Sequence, residues 1–228
     1  YVDGLQIGRR AGPNALGYAA YIPGDRLREF QLERRSDGNG LFELHPRGVR
    51  EAYGPVVYVE PRRPEHDGID GFDMLSEPAR RVAMEAARDS GESRLTGKLV
   101  LQRRFDDTPQ GAILYTPVYR GGVLPASVEA RRAALRGWTY APLRMQDFMP
   151  QSLATLPRTM SIRITDITHG EAAEMYVDPD FARAAADHRD RHSVIQEFYG
   201  RTWRIEFIAL EPSSGPSPAR ATMIVGLL

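Results

Sequence analysis

Residues 71–119 read GFDMLSEPARRVAMEAARDSGESRLTGKLVLQRRFDDTPQGAILYTPVY, and this stretch decides the fold class. Gly71-Phe72-Asp73 sets one carboxylate among the apolar residues Ile69, Phe72, Met74 and Leu75. Ser76 to Gly91 predicts an amphipathic helix. Ser76 suits the N-cap, Glu77 the positive end of the dipole and Pro78 a first turn whose N–H groups lack intrahelical partners; Gly91 closes it. Ala79, Val82, Ala83 and Ala86 recur at helical spacing and predict a small-residue face laid on a sheet, with Arg80, Arg81, Glu85 and Arg88 outward. Leu95–Gln102 and Gly111–Tyr119 predict two strands, joined by the charged loop Arg103–Gln110. A helix over one sheet face with an acid at its start encloses a small concave pocket. Asp73 there needs donors, from backbone N–H groups, from an arginine or from a ligand. Tyr58, Tyr115 and Tyr119 are expected on strands flanking the same space, where plain core is the ordinary role of an aromatic.

Upstream, Leu16–Ile22 predicts a first strand and Asp25 to about Arg35 a helix offering Leu27, Phe30 and Leu32 to the core. Leu41–Leu44 and Tyr53–Val59 follow as strands. Residues 1–122 thus form a mixed α+β unit, an antiparallel sheet with helices on one side. Val128–Leu135 is a helical turn in a crossover. A second unit is expected over residues 137–211: a strand at Trp138–Arg144, a helix at Gln146–Leu156, strands at Ser161–Ile167 and Glu174–Val177, and a loop or frayed helix at Phe181–Asp190. It ends in a hairpin turning at Gly200-Arg201, with Trp203, Ile205 and Phe207 on one face. Residues 212–228 read as a turn-rich linker running into the apolar Met223–Leu228, either a last strand or the start of a membrane span.

Composition narrows the function. Thirty basic and thirty acidic residues cancel over 228 positions, which removes the basic footprint that nucleic-acid binding needs. The chain has no cysteine, so there is no disulfide framework, thiol nucleophile or cysteine zinc site. His188 and His192 are four apart but lie in a charged run, and a solvated segment is the better reading than a metal site. No nucleophile elbow, phosphate-binding glycine loop or zinc helix motif occurs, so no catalytic residue, metal or cofactor is expected.

Gly71-Phe-Asp-Met-Leu, Ala86-Ala-Arg-Asp-Ser-Gly91, Leu95-Thr-Gly97, Thr116-Pro-Val-Tyr-Arg-Gly121 and Arg136-Gly-Trp-Thr-Tyr-Ala-Pro142 come in the order found in the CHASE domains. With Leu16-Gly-Tyr-Ala and Ile22-Pro23, the chain resembles that family over about residues 14–148 and more weakly at Trp203–Phe207. CHASE domains are extracytoplasmic sensory domains of histidine kinases and nucleotide cyclases, the plant cytokinin receptors among them. The resemblance implies two PAS-like units after a long stalk helix that is largely absent here, the membrane-distal one holding the ligand. It implies membrane helices on both sides, a homodimer through the stalk and a periplasmic location. In the cytokinin receptors the aspartate at the place of Asp73 accepts hydrogen bonds from an adenine ring, and the leucine at Leu95 contributes through its main chain. Tyr115 stands where those receptors carry threonine, which reshapes the cavity. The resemblance therefore puts the ligand, an adenine derivative or another small molecule, among Asp73, Leu95, Tyr58, Met74, Phe105, Tyr115 and Tyr119. The alternative is a ligand-free ectodomain for dimerisation or partner binding, its pocket filled by Tyr115 and Phe105.

Overall fold

The structure, a computed structural model, describes residues 15–36, 42–60, 68–101, 110–154, 159–187 and 191–210. Phe105 with most of its loop, His188, the linker and Met223–Leu228 lie outside them. The chain opens with β1 (Leu16–Ala20), β2 (Ile22–Pro23), α1 (Leu27–Ser36), β3 (Ala52–Tyr53) and β4 (Val56–Glu60). Next come α2 (Pro78–Ser90), β5 (Arg94–Leu95), β6 (Leu99–Val100) and β7 (Gln110–Tyr119). After α3 (Val128–Ala134), β8 (Leu135–Arg144) and α4 (Met145–Leu153), the chain continues through β9 (Met160–Asp166) and β10 (Ala173–Val177). It finishes with α5 (Phe181–Ala186), β11 (Arg191–Phe198) and β12 (Arg201–Ala209). All strand pairs are antiparallel. One sheet has the order β4-β1-β8-β7-β5, with β6 also on β7, and a second has β10-β9-β12-β11. The fold is α+β. Among the described residues no helix is long and apolar enough to cross a membrane.

The strand period of two splits the side chains of the first sheet between two cores. On β7, Ile113 and Tyr115 face α2 and join Val56, Met84, Trp138 and Tyr140. Ala112 and Leu114 face the other way. There they meet Leu95, Met145 and Met149 of α4, and Ile164, Ile205 and Phe207 of the second sheet. The second core is thus shared by both sheets.

The structure corrects several expectations. The strand at Trp138–Arg144 opens no second unit: β8 lies between β1 and β7, in the middle of the first sheet. Trp138 is fully buried under α2 with its indole N–H donated to the Met84 carbonyl at 2.9 Å. A neighbour in space that is far away in sequence decided this, and no local signal carries such a pairing. The α2 face is also rotated. Ala83, Met84 and Ala87 are buried, whereas Ala79 and Ala86 are exposed and Val82 is 67% exposed. Seating Met84 buries a larger apolar side chain than Val82 offers, and the flexible thioether fills the irregular space above Gly54. Arg80, expected outward, lies over the Phe72 ring at 5.3 Å. Leu32 is 56% exposed, while Leu27 and Phe30 pack as expected. Residues 42–44 form no strand, and His45 makes only an isolated bridge to Phe72.

Candidate functional site

The site begins with a backbone clamp. Residues 71–74 thread between His45 and the 54–56 segment: His45 N donates to Gly71 O at 3.0 Å, Asp73 N to His45 O at 2.7 Å and Met74 N to Gly54 O at 3.0 Å. Gly71 has φ +78°, and a Cβ there would come 2.0 Å from the Glu43 carbonyl oxygen, so only glycine fits. The clamp holds Asp73 with none of its surface exposed. Its Oδ1 accepts from Gly54 N at 2.7 Å and from Leu75 N at 3.1 Å. The second bond caps the short 3-10 turn Met74–Ser76, whereas α2 has Glu77 at its N-cap and no side-chain cap, so Ser76 does not cap it as expected. Ser76 instead turns its hydroxyl back to the Asp73 carbonyl at 2.6 Å.

The other carboxylate oxygen is treated differently. Asp73 Oδ2 is buried and has no hydrogen-bond donor in proper geometry; Arg50 Nη1 faces it at 3.3 Å, an ion pair without a well-formed hydrogen bond. That arginine is about one quarter exposed and also donates to the Pro46 carbonyl at 3.2 Å. Among the described residues the carboxylate therefore has one oxygen committed to the backbone and one held by a single cation, Arg50.

Beside it, Met74 and Tyr115 touch, the Tyr115 hydroxyl 3.4 Å from the Met74 sulfur. Tyr115 is fully buried, and burial pushes its phenol up to about 12 against the pull of nearby Arg80. Arg80 pairs with Glu77 and reaches the same sulfur at 3.1 Å. Tyr119 stands at the far end of α2 and donates to the Arg88 carbonyl at 2.6 Å. Asp73, Met74, Tyr115 and Tyr119 are thus all on the α2 side of the first sheet.

Two other expected residues lie apart from them. Leu95 pairs with Leu114, which puts its side chain on the opposite face, in the shared second core. Its N–H is donated to the Tyr199 carbonyl of the second sheet at 3.0 Å. Tyr58 is 49% exposed and lines an open groove of about 760 Å3 with Arg34, His45, Glu60 and Asp70. It therefore does not share a space with Tyr115. The reading of the sequence missed Arg50, Gly54 and Arg80, which complete the surroundings of Asp73. Arg50 and Gly54 carry no local signature, because only the clamp brings them to Asp73. Arg80 carries a charge that the helical pattern places outward, yet it stands one helical turn before Met84 and reaches the Met74 sulfur. No group of three or more metal-ligating side chains comes together among the described residues.

The CHASE domain family model matches residues 1–176, a span that includes every strand of the first sheet together with β9 and most of β10. No curated protein matches the chain. With well over half of its length matched, the protein belongs to the CHASE domain family, the extracellular sensory domains of signalling receptors.

Proposed function

We propose that this sensory domain reads a small molecule bearing an N–H donor, of the adenine type, at the α2-covered face of the first sheet. The observation that carries the reading is the half-filled carboxylate of Asp73. Its Oδ1 is saturated by two backbone N–H groups, whereas among the described residues its Oδ2 has Arg50 alone at 3.3 Å. A ring N–H directed at Oδ2 would replace a partly solvated arginine with a buried hydrogen bond. A ligand shifts a two-state equilibrium only by its difference in affinity for the two states, and leaving such an acceptor unmatched costs about 1–3 kcal/mol. The first sheet then acts as the ligand-holding, PAS-like and membrane-distal unit. Its β5 edge is bonded through Leu95 to Tyr199 and passes the change to the second sheet. Flanking membrane helices would carry the signal to a cytoplasmic histidine kinase or diguanylate cyclase, with the domain in the periplasm.

A second reading, a ligand-free ectodomain for dimerisation or partner binding, draws on Tyr115. Its ring is fully buried against Met74 and occupies the space beneath α2. A thermal-shift series separates the two. Adenine derivatives and other small nitrogen heterocycles are added to the native domain, to Asp73→Asn and to Tyr115→Thr. The Asn variant keeps an Oδ1 acceptor for Gly54 and Leu75 but presents an amide where Oδ2 stood. The sensor reading expects stabilisation of the native domain, loss of it in Asp73→Asn and an increase in Tyr115→Thr. Stabilisation that survives in Asp73→Asn moves the ligand elsewhere. No response in any of the three forms favours the ligand-free reading.

A further inference from the structure

β11 ends the second sheet, so among the described residues one of its edges has no strand beside it. Tyr199 (φ 46°) and Gly200 (φ 82°) make the two-residue turn into β12, with Phe198 opposite Arg201. In such a hairpin the flanking pair exchanges hydrogen bonds and the pattern then alternates along the ladder. The backbone groups of Phe198, Gln196, Val194 and His192 therefore point into the sheet. Those of Arg191, Ser193, Ile195 and Glu197 point outward. Side chains alternate as well: Val194 and Phe198 pack against the shared core. Ile195 stands 61% exposed, with Arg191, Ser193 and Glu197 exposed on the same face.

An eight-residue edge strand with an exposed isoleucine is a template for another strand unless its charges repel one. Here the charges complement each other. In an antiparallel pairing about a two-fold axis at Val194, Arg191 lies opposite Glu197 of the second copy, and Ser193 lies opposite Ile195. All four are residues whose backbone groups point outward, so the ladder closes as well. Val194 meets its own counterpart, and His192 meets Gln196. Moving the axis to Ser193 sets Arg191 opposite Ile195; moving it to Ile195 sets Glu197 opposite Ser193. Both shifts keep the ladder but lose the Arg191–Glu197 pairs, so among the described residues charge selects the Val194 register. Arg191 is 3.8 Å from Glu206 and nearly half exposed, which leaves it free to reach across the edge.

We propose that β11 is a self-association edge: two copies of this chain pair β11 against β11 about Val194 and join their second sheets into one. The test is the mass of the purified chain in solution, by light scattering and sedimentation across a concentration series, with circular dichroism melts to verify folding. Ile195→Pro removes an outward N–H, a change that an edge strand tolerates, and is expected to raise the dimer dissociation constant by about a hundredfold. Glu197→Arg sets like charges opposite each other at both ends of the ladder and is expected to weaken the dimer about tenfold. Combining Glu197→Arg with Arg191→Glu restores both pairs and is expected to restore the dimer. A chain that stays monomeric at every concentration overturns the proposal. So does a dimer that Ile195→Pro leaves intact, since it must form through another face.

Discussion

The two sheets match their buried carboxylates differently. In the second sheet Asp166, 1% exposed, has both oxygens filled. Arg201 donates to Oδ2 through Nε at 2.8 Å and through Nη2, and Thr168 donates to Oδ1 from its N–H at 3.0 Å and its hydroxyl at 2.6 Å. Asp178 is matched in the same way, by Ile162 N at 2.9 Å and the Tyr176 hydroxyl at 2.6 Å. Beneath α2, Asp73 is equally buried but has hydrogen bonds at only one oxygen, and the Tyr115 hydroxyl finds a thioether sulfur, a weak acceptor. Fully matched polar groups fix one conformation, because each alternative leaves a buried group unpaired. A half-matched carboxylate beside a weakly held phenol leaves room for a second arrangement, which a sensory domain needs. On the sensor reading proposed above, the carboxylates of the second sheet hold one arrangement and the α2 side of the first sheet is where a ligand acts.

Four measurements would break or sharpen that contrast. Asp166→Asn weakens a pair in which Arg201, about as exposed as Arg50, makes two short hydrogen bonds to Oδ2, and is expected to cost about 3 kcal/mol in denaturant unfolding. Tyr115 comes next. Its folded phenol is raised to about 12 from an ordinary 10, so its stabilising contribution is fully present below pH 10 and is lost as pH rises towards 12. The expected loss is about 2 kcal/mol across that window, and Tyr115→Phe should flatten this part of the alkaline unfolding curve. Third, Asp73→Asn keeps the Gly54 and Leu75 bonds and gives up only the Arg50 ion pair, for an expected loss of about 1 kcal/mol. A loss as large as that of Asp166→Asn would mean that Oδ2 is as firmly held as Asp166, and the contrast would fail. Smallest is Asp89→Asn at the end of α2. Arg132 and Arg88 hold that carboxyl well below the usual range, but the pairs are partly solvated, so about 0.5 kcal/mol is expected at neutral pH. Because the folded value is depressed, that contribution should vanish as pH falls below the ordinary carboxylate range.

Asp73 shows how far the sequence alone reached. Its apolar neighbours predict a half-buried carboxylate in need of donors; it is fully buried, and one of its two oxygens has them. Its partners were not legible, since Arg50 and Gly54 come to it through a clamp that has no local pattern. Tyr58 shows the opposite error: its strand is expected to flank the same space as Tyr115, but the residue lies in an open groove. Leu95, which the resemblance brings in through its main chain, has its side chain on the other face of the sheet. The family motifs around Asp73, Gly97 and Trp138 pointed to the CHASE family without needing any of these contacts.

The sequence by itself determined the kinds of element, because periodicity, caps and turn residues act within a few positions. The helix ending at Gly91 and the hairpin before Trp203 with its inward Ile205 and Phe207 follow from local sterics and hydrophobic alternation. Only the tertiary structure decided which elements are neighbours. It set β8 in the middle of the first sheet, turned α2 onto Met84 and left one oxygen of Asp73 without a firm partner. Those outcomes come from competition among distant surfaces for the same buried volume, and no stretch of chain carries that competition alone.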